Sequence, residues 1–509
     1  MKRTFASVLA LTVGSALAMT GCTAPENDAT GTISIMVPFL EAQPPAGDDA
    51  VHSRLEEITG TTIDFTWVPN SSYEDKTNIT LAGNDIPDVM VIQGKSPGFV
   101  KNANAGAFWD LTDELGKYPN LTSNNPEVQQ NSSVNGSVYG VYRARDAMRT
   151  SVILRKDWLV KLGLEAPTNV EELYEVAKAF TENDPDGNGA ADTYGLIVPK
   201  WPGPVNSNSP YDVISTWFGA GNAWRDDGGE LVPNFTTDEF LEANEYIKRF
   251  VDEGLINPDY ATMDSATWND PFFTGKGGII IDVHSRAAVL TNLWKESDPE
   301  NFSDYVEITG NLEGPSGESL AHPTDGYSGF LAIPKAQVGT EEDLATVLTF
   351  LNALNSNEAA VLINNGIEGV SFTLDGDLAA PADVNAASAE DREVIQAIKS
   401  YAQLGTNGDG IKYYLPKMPS DYEQEMNEKR LAIEKADLEF AVYNPAAAYV
   451  SETQVSKGAQ LGNIVSDARV QFLAGQIDEA QFIDAVELWK TSGGNDVIAE
   501  TNALFEADN

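Results

Sequence analysis

Five residues in a nine-residue stretch carry the most explicit chemistry in the sequence: Asp184, Asp186, Asn188, Gly189 and Asp192. They fall at positions 1, 3, 5, 6 and 9 of an EF-hand-type loop. A hard cation such as calcium needs about six or more oxygen ligands, and the glycine allows the sharp turn that brings them together. Ala190 would add its main-chain carbonyl at position 7. The last position of such a loop, normally a bidentate glutamate, is Gly195, so the missing oxygens must come from elsewhere or from water and a weak affinity is expected. The reading is a structural calcium site; the plainer alternative is a solvated Asp/Asn/Gly turn.

The chain holds one cysteine, which excludes a disulfide framework. Lys2, Arg3, the short apolar run 5–18 and the small residues that follow read as a signal peptide over 1–21. That run is short for a membrane-spanning helix and lacks a stop-transfer flank. Ala18-Met19-Thr20-Gly21-Cys22 resembles the lipobox of bacterial lipoproteins, with Met19 where leucine is commoner. In that family the thiol receives a diacylglyceryl group (with palmitate-type chains) and becomes the mature N-terminus. Residues 22–30 are then a lipidated tether, and the expected location is the extracytoplasmic face of the cell membrane, anchored rather than spanning. An unmodified cysteine beside an ordinary cleavage site is the alternative.

The elements that must position any binding site alternate between strand and helix. Residues 32–38 suit a buried strand; Val51, Leu55 and Ile58 follow at helical spacing up to Gly60; 61–68 alternates like a strand. A helix near 73–82 and a short strand at 89–92 complete a βαβαβ start, which implies a parallel sheet flanked by helices. Later helices show the same spacing at Leu173, Val176, Ala177 and Phe180, at Leu344, Val347, Leu348 and Leu351, and at Phe482, Val486 and Trp489. In open α/β sheets, ligands sit beyond the carboxyl ends of strands. That rule selects Glu41, Gln93, Trp201 and Arg286, each just past an apolar run, and Tyr327 in the loop before another.

Arg155-Lys156-Asp157-Trp158-Leu159, Pro167-Thr168 opening a helix, the acidic loop with Asp192-Thr193-Tyr194-Gly195, Asn365-Gly366-Ile367-Glu368-Gly369 and the tail 458–489 resemble family 1 extracellular solute-binding proteins of ABC importers. Within that family they are similar to the lipoprotein branch of alginate-oligosaccharide binders and LipO-type proteins. The resemblance runs from Cys22 to the C-terminus and is most specific over 139–195. It implies a two-lobed α/β periplasmic-binding-protein type II fold, with an interlobe cleft that closes on ligand by hinge motion. By analogy, lobe one spans 31–145 plus 318–375 and lobe two 146–317 plus 376–509. The resemblance also strengthens the calcium reading, because the alginate-binding relatives carry a metal in this loop.

The function implied is capture of a carbohydrate, most simply an oligosaccharide, and its delivery to the permease subunits of an ABC importer by a monomer. Sugar binders stack ring faces on aromatics and satisfy hydroxyls with amides and carboxylates. Trp201 is the first candidate. Trp268 precedes Phe273-Thr274-Gly275-Lys276-Gly277, which is similar to the family segment that delivers a cleft aromatic. Trp217, Trp67 and Tyr327 are further aromatic candidates, although large aromatics often pack in cores. Gln93, Glu41, Asp325 and Arg286 are the polar ones, whereas Trp158 and Trp489 lie on helical stripes and read as core.

Composition sets the limits. The 509 residues are 42% hydrophobic, with 9 Trp, 17 Tyr and 20 Phe, enough for two packed cores. With 32 Lys+Arg against 77 Asp+Glu the net charge is −45, which disfavours nucleic acid and anionic lipid surfaces as partners. A polyanionic ligand then requires a local basic patch. Arg143, Arg145, Arg149, Arg155 and Lys156 place five cations within 14 positions; they either pair with surrounding acids or receive an acidic sugar. The sequence has no phosphate-binding loop, HExxH, CxxC or G-x-S-x-G motif, and its three histidines (His52, His284, His322) are scattered, so no enzyme is expected. Two other readings stay open: a sugar-binding surface lipoprotein without a transport role, and a glycosidase, which needs only two suitably spaced carboxylates.

Overall fold

The computed structural model describes residues 31–123, 125–201, 203–405 and 413–508. Cys22, the leader 1–21 and the whole of the tether 22–30 lie outside the described residues.

Two sheets form the scaffold. The first has the order β2-β1-β3-β11-β4, built from β1 (Thr32–Phe39), β2 (Thr62–Pro69), β3 (Val89–Ile92), β4 (Gly140–Ala144) and β11 (Tyr327–Ala332). β1 runs parallel to β2 and β3, with Ile35 opposite both Phe65 and Val89, as the βαβαβ pattern requires. Every residue of β3, Val-Met-Val-Ile, is buried, as expected of a central parallel strand covered on both faces. β11 is antiparallel to β3 and β4. The second sheet has the order β10-β5-β9-β6, from β5 (Thr150–Arg155), β6 (Tyr194–Leu196), β9 (Gly277–Val283) and β10 (Val306–Thr309). A hairpin of β7 (Trp224–Asp226) and β8 (Leu231–Pro233) stands apart from it.

The helices between strands start where their caps dictate. Asp49 accepts hydrogen bonds from the amides of Val51 and His52 to open helix Ala50–Thr59, and Gly60 ends it at φ 65°, a left-handed conformation natural to glycine. Asn169 opens helix Val170–Glu182, whose Leu173, Val176, Ala177 and Phe180 are all buried, in agreement with the periodicity. Each sheet organises its own core, so the molecule has two lobes. A third apolar cluster around Trp268, Phe272 and Trp294 covers the other face of the second sheet.

Among the described residues the chain crosses between lobes three times: from β4 to β5, from β10 to β11, and between Pro416 and Asp421. The first two crossings are hydrogen-bonded to each other. Arg145 N donates to Gly326 O at 2.9 Å and Thr324 N to Ala147 O at 2.8 Å. The third crossing corrects the expected lobe boundary at 375. Strand β12 (Phe372–Asp375) pairs with β13 (Leu378–Pro381). Helix Ala389–Tyr401 then buries Val394, Ala397 and Tyr401 in the first core, and Tyr401 OH donates to Asp49 Oδ2 at 2.8 Å. The described residues up to 416 therefore belong with lobe one. Helix Asp421–Asp437 docks on lobe two, where Tyr422 OH reaches Val306 O at 2.9 Å.

Candidate ligand cleft and cation loop

Four of the expected residues, Gln93, Asp325, Tyr327 and Trp201, come to surfaces beside the crossings, three of them selected by the strand-end rule. Beyond β3, Gln93 is exposed and donates from Nε2 to Asn70 Oδ1 at 2.7 Å. It borders a cavity of about 210 Å³ that also touches Tyr73, Asn78 and Lys95. Lys95 Nζ donates to the carbonyls of Asn131 (2.7 Å), Ser133 (3.0 Å) and Ala447. Burial lowers its pKa to about 8, against the opposing field of Asp325. Asp325 is reached by solvent yet surrounded by protein on most sides, as suits a cleft wall. Burial raises its carboxyl above the usual range while Lys95 pulls it down. Tyr327, half-buried at the start of β11, has its phenol pushed up by burial and then by Asp325.

Across the crossings, Trp201 is half-buried at the start of the loop after β6 and its neighbours. Its indole donates to Ser207 Oγ at 2.8 Å, and one edge meets Trp268 with ring centroids 6.0 Å apart. Ser207 N and Ser209 N both donate to Asp212 Oδ2, at 3.1 and 2.9 Å. Asp212 is held in turn by Arg469 at 2.7 Å. A cavity of about 280 Å³ borders the same loop at Pro204 and Asn206, with Trp224, Tyr449 and Gln454 among its other walls. Ala223 beside it sits at φ 60°, a conformation costly for a residue with a side chain and characteristic of binding sites.

The remaining candidates have structural duties. Trp217 is fully buried and donates to Asn311 Oδ1 at 2.8 Å. Trp268 is buried with its indole bonded to Ile197 O at 3.0 Å, so it supports Trp201 instead of facing the cleft. Trp67 stacks on Phe65 at 5.1 Å and meets Tyr401 edge-on, packing β2 against helix Ala389–Tyr401. Arg286 lies over the Trp268 ring at 4.0 Å and bonds Asp282 and Asn269. Glu41 is ion-paired with Lys399 at 2.9 Å. Trp158 and Trp489 are buried, in line with their helical stripes. A residual site of amide, carboxylate, phenol and indole groups can bind hydroxyls and stack on ring faces.

In the acidic loop, Asp184 accepts from Gly187 N (3.0 Å) and Gly189 N (3.1 Å), and the Asn188 amide nitrogen bridges Asp186 (2.7 Å) and Asp192 (3.1 Å). Asp184 has its pKa lowered: desolvation alone would raise it, but hydrogen bonds from Asp186 and the loop amides outweigh that effect. Lys276 pairs with Asp192. Among the described residues no three His, Cys, Asp or Glu side chains gather closely enough to hold a metal by themselves. The oxygens of Asp184, Asp186, Asn188 and Asp192 fit a hard cation only with main-chain or water ligands added and Lys276 turned aside. Gly195 could not carry the missing glutamate, because a Cβ there would meet Ala177 at 2.5 Å.

The family model for bacterial extracellular solute-binding proteins matches residues 39–361. The chain belongs to that family. It is 44% identical over 498 residues to lipoprotein LipO of Bacillus subtilis, covering 97% of each chain. It is 31% identical to the polygalacturonan/rhamnogalacturonan-binding protein YtcQ of the same organism, covering 98% of this chain and 97% of that one. A solved HMO-binding, ABC-transporter-associated solute-binding protein of Bifidobacterium longum infantis superposes with a TM-score of 0.69 at 19% identity, over 94% of this chain and 99% of that one. At that identity the superposition speaks for the fold, and it is the two-lobed solute-binding fold. Among the described residues no helix is long and apolar enough to cross a membrane.

Sequence reasoning missed Trp224 and Tyr449, which wall the cavity beside the Trp201 loop. Trp224 follows a glycine-rich turn, a visible signal; Tyr449 lies in an irregular segment that reveals nothing by periodicity. Leu438 and Phe440, each 47% exposed beside the second crossing, where Phe440 O accepts from Ala321 N, were equally hidden, because Asp-Leu-Glu-Phe reads like one more amphipathic helical turn.

Proposed function

We propose that this solute-binding protein is held by a lipid on Cys22 at the outer face of the membrane, captures an oligosaccharide between its lobes and hands it to an ABC importer. One observation carries the reading. Trp201 presents a half-buried indole at a strand end, with its N–H already satisfied by Ser207 and its orientation fixed by Trp268 and the Asp212–Arg469 pair. An aromatic face fixed in this way is a ready platform for a sugar ring. Gln93, Asp325 and Tyr327 add hydroxyl partners from the other lobe, and the two hydrogen-bonded crossings give a short hinge. The polygalacturonan/rhamnogalacturonan-binding relative supports a carbohydrate ligand, and the lipoprotein relative supports the anchor. The acidic loop is read as a calcium site that pins lobe two, with the donors named above and no part in ligand capture. The chain acts as a monomer.

A thermal-shift screen of neutral and acidic oligosaccharides tests this, because a ligand that binds only the folded state raises its melting temperature. A shift that grows with sugar concentration is expected. Turnover of the sugar in the same samples would replace the binding reading with a glycosidase.

A further inference from the structure

The five cations of 143–156 do not share one fate. Arg143 is buried and donates to Ser328 O at 2.8 Å and Gln403 Oε1 at 2.9 Å. Arg155 clasps Asp157 through two bonds of 2.7 and 2.5 Å. Lys156 donates to Ser303 O at 3.0 Å. Arg145 and Arg149, by contrast, hold no ion pair and no side-chain hydrogen bond among the described residues. That is unexpected in a chain with 77 acids and 32 bases.

The acids around them explain it. Asp146, Asp282 and Glu434 all act on Arg149 through space, yet two of the three are engaged elsewhere. Asp282 bonds Arg286. Glu434 bonds Arg430 at 2.7 Å and has His284 Nδ1 at 2.9 Å, close but poorly aligned for a hydrogen bond. Asp325, across the first crossing, faces Lys95. Only Asp146 is uncommitted, and it forms an ion pair with neither arginine. Arg149 is half-buried, and that burial lowers its pKa, followed by repulsion from Arg145. A partly desolvated guanidinium without an anion is a cost that folding alone does not recover.

Their place is the cleft edge. Arg145 follows β4, its N–H bonded to Gly326 O. Ala144 is in register with Tyr327, so Arg145 lies beside Asp325 and Tyr327 on the same sheet margin. It borders a cavity of about 270 Å³ shared with Tyr142, Gly326 and Leu438. Arg149 immediately precedes β5 on the other side of the crossing, where its carbonyl accepts from His284 N at 2.8 Å.

We propose that Arg145 and Arg149 receive a carboxylate of the bound sugar, so that the cleft selects uronate-containing oligosaccharides over neutral ones. This rests on the sugar-binding reading above. The planar guanidinium fork matches a carboxylate in two parallel bonds, and a pair at a crossing joins ligand charge to lobe closure. The negative net charge of the whole chain opposes an anion at long range, but that repulsion is screened beyond roughly 8–10 Å in physiological salt, whereas contact with two arginines is not.

The test is calorimetric titration of the purified chain with trigalacturonate and trimannuronate, each paired with its carboxyl-reduced counterpart, galactotriose or mannotriose. At least one acid trimer should bind tenfold or more tightly than its reduced counterpart, and its affinity should fall as sodium chloride rises. Arg149→Gln and Arg145→Gln should each lower that affinity 10- to 100-fold without lowering the melting temperature, and Arg149→Lys should restore part of it. Equal binding of acid and reduced trimers, or acid binding indifferent to both substitutions, would overturn the assignment and leave the sugar reading standing. Failure of every acidic and neutral oligosaccharide to bind would remove the sugar reading itself.

Discussion

Arg469 offers the sharpest test of how the Trp201 loop is held. Its guanidinium lies 2.7 Å from Asp212 Oδ1, with the two side chains 5% and 2% exposed. Asp212 also caps helix Pro210–Trp217 and binds Ser207 N, and Ser207 Oγ accepts the Trp201 indole. Arg469→Met keeps the volume but leaves a buried carboxylate without its cation. Breaking one partner of such a pair costs about 3–5 kcal/mol, or roughly 10²–10⁴ in the folding equilibrium. In the intact protein burial would raise the Asp212 pKa, but Arg469 and the Ser209 bonds outweigh it and hold it low. The intact pair therefore contributes stability above the unfolded carboxyl pKa of about 3.9, lost as pH falls through the still lower folded value. Removing Arg469 reverses the sign: the carboxyl rises above its unfolded pKa, and the folded variant binds a proton more readily than the unfolded chain. Its deficit should therefore shrink from pH 7.5 to pH 5, by at most about 1.4 kcal/mol per pH unit. Equilibrium urea unfolding at both pH values measures this. Asp212→Asn combined with Arg469→Met should be less destabilised than Arg469→Met alone, because no buried charge is left. A deficit below about 1 kcal/mol at pH 7.5, or one that grows toward pH 5, refutes the reasoning.

Three further outcomes follow from the site. Trp201→Ala should weaken oligosaccharide binding by about 1–2 kcal/mol, roughly tenfold, with little change in urea midpoint, as read by titration calorimetry. His322 is buried between Thr216 Oγ1 (2.7 Å) and Asn208 Oδ1 (3.0 Å), and burial lowers its pKa to about 4 despite Asp212. Since the unfolded chain takes up this proton first, stability should fall as pH drops from about 6.5 toward 4, and His322→Asn should flatten that decline in pH-dependent unfolding. Millimolar calcium should raise the melting temperature and a chelator reverse it, with Asp184→Ala abolishing the response; an unchanged melting temperature would remove the calcium site.

Much of the scaffold was legible in the sequence because it is encoded locally. The buried run of β3, the alternation of β2 and the helical spacing of Val51 and Leu55 and of Leu173 to Phe180 each act within a few turns of chain. The acidic loop was legible for the same reason, and so was the departure at Gly195, although only the contact with Ala177 shows why glycine is required there.

What tertiary structure alone decided was which side chains are free. Trp201, Trp217 and Trp268 look alike in sequence, but one faces the loop surface and two are sealed by Asn311 and Ile197. The assignment of 376–405 to lobe one depended on Tyr401 reaching Asp49, 352 residues away along the chain. The fates of the five clustered cations were set by partners from as near as Asp157 to as far as Gln403. Periodicity reports the face a residue turns toward, which is a local property. Whether its charge or ring is already satisfied depends on groups that only the folded chain brings within hydrogen-bond reach.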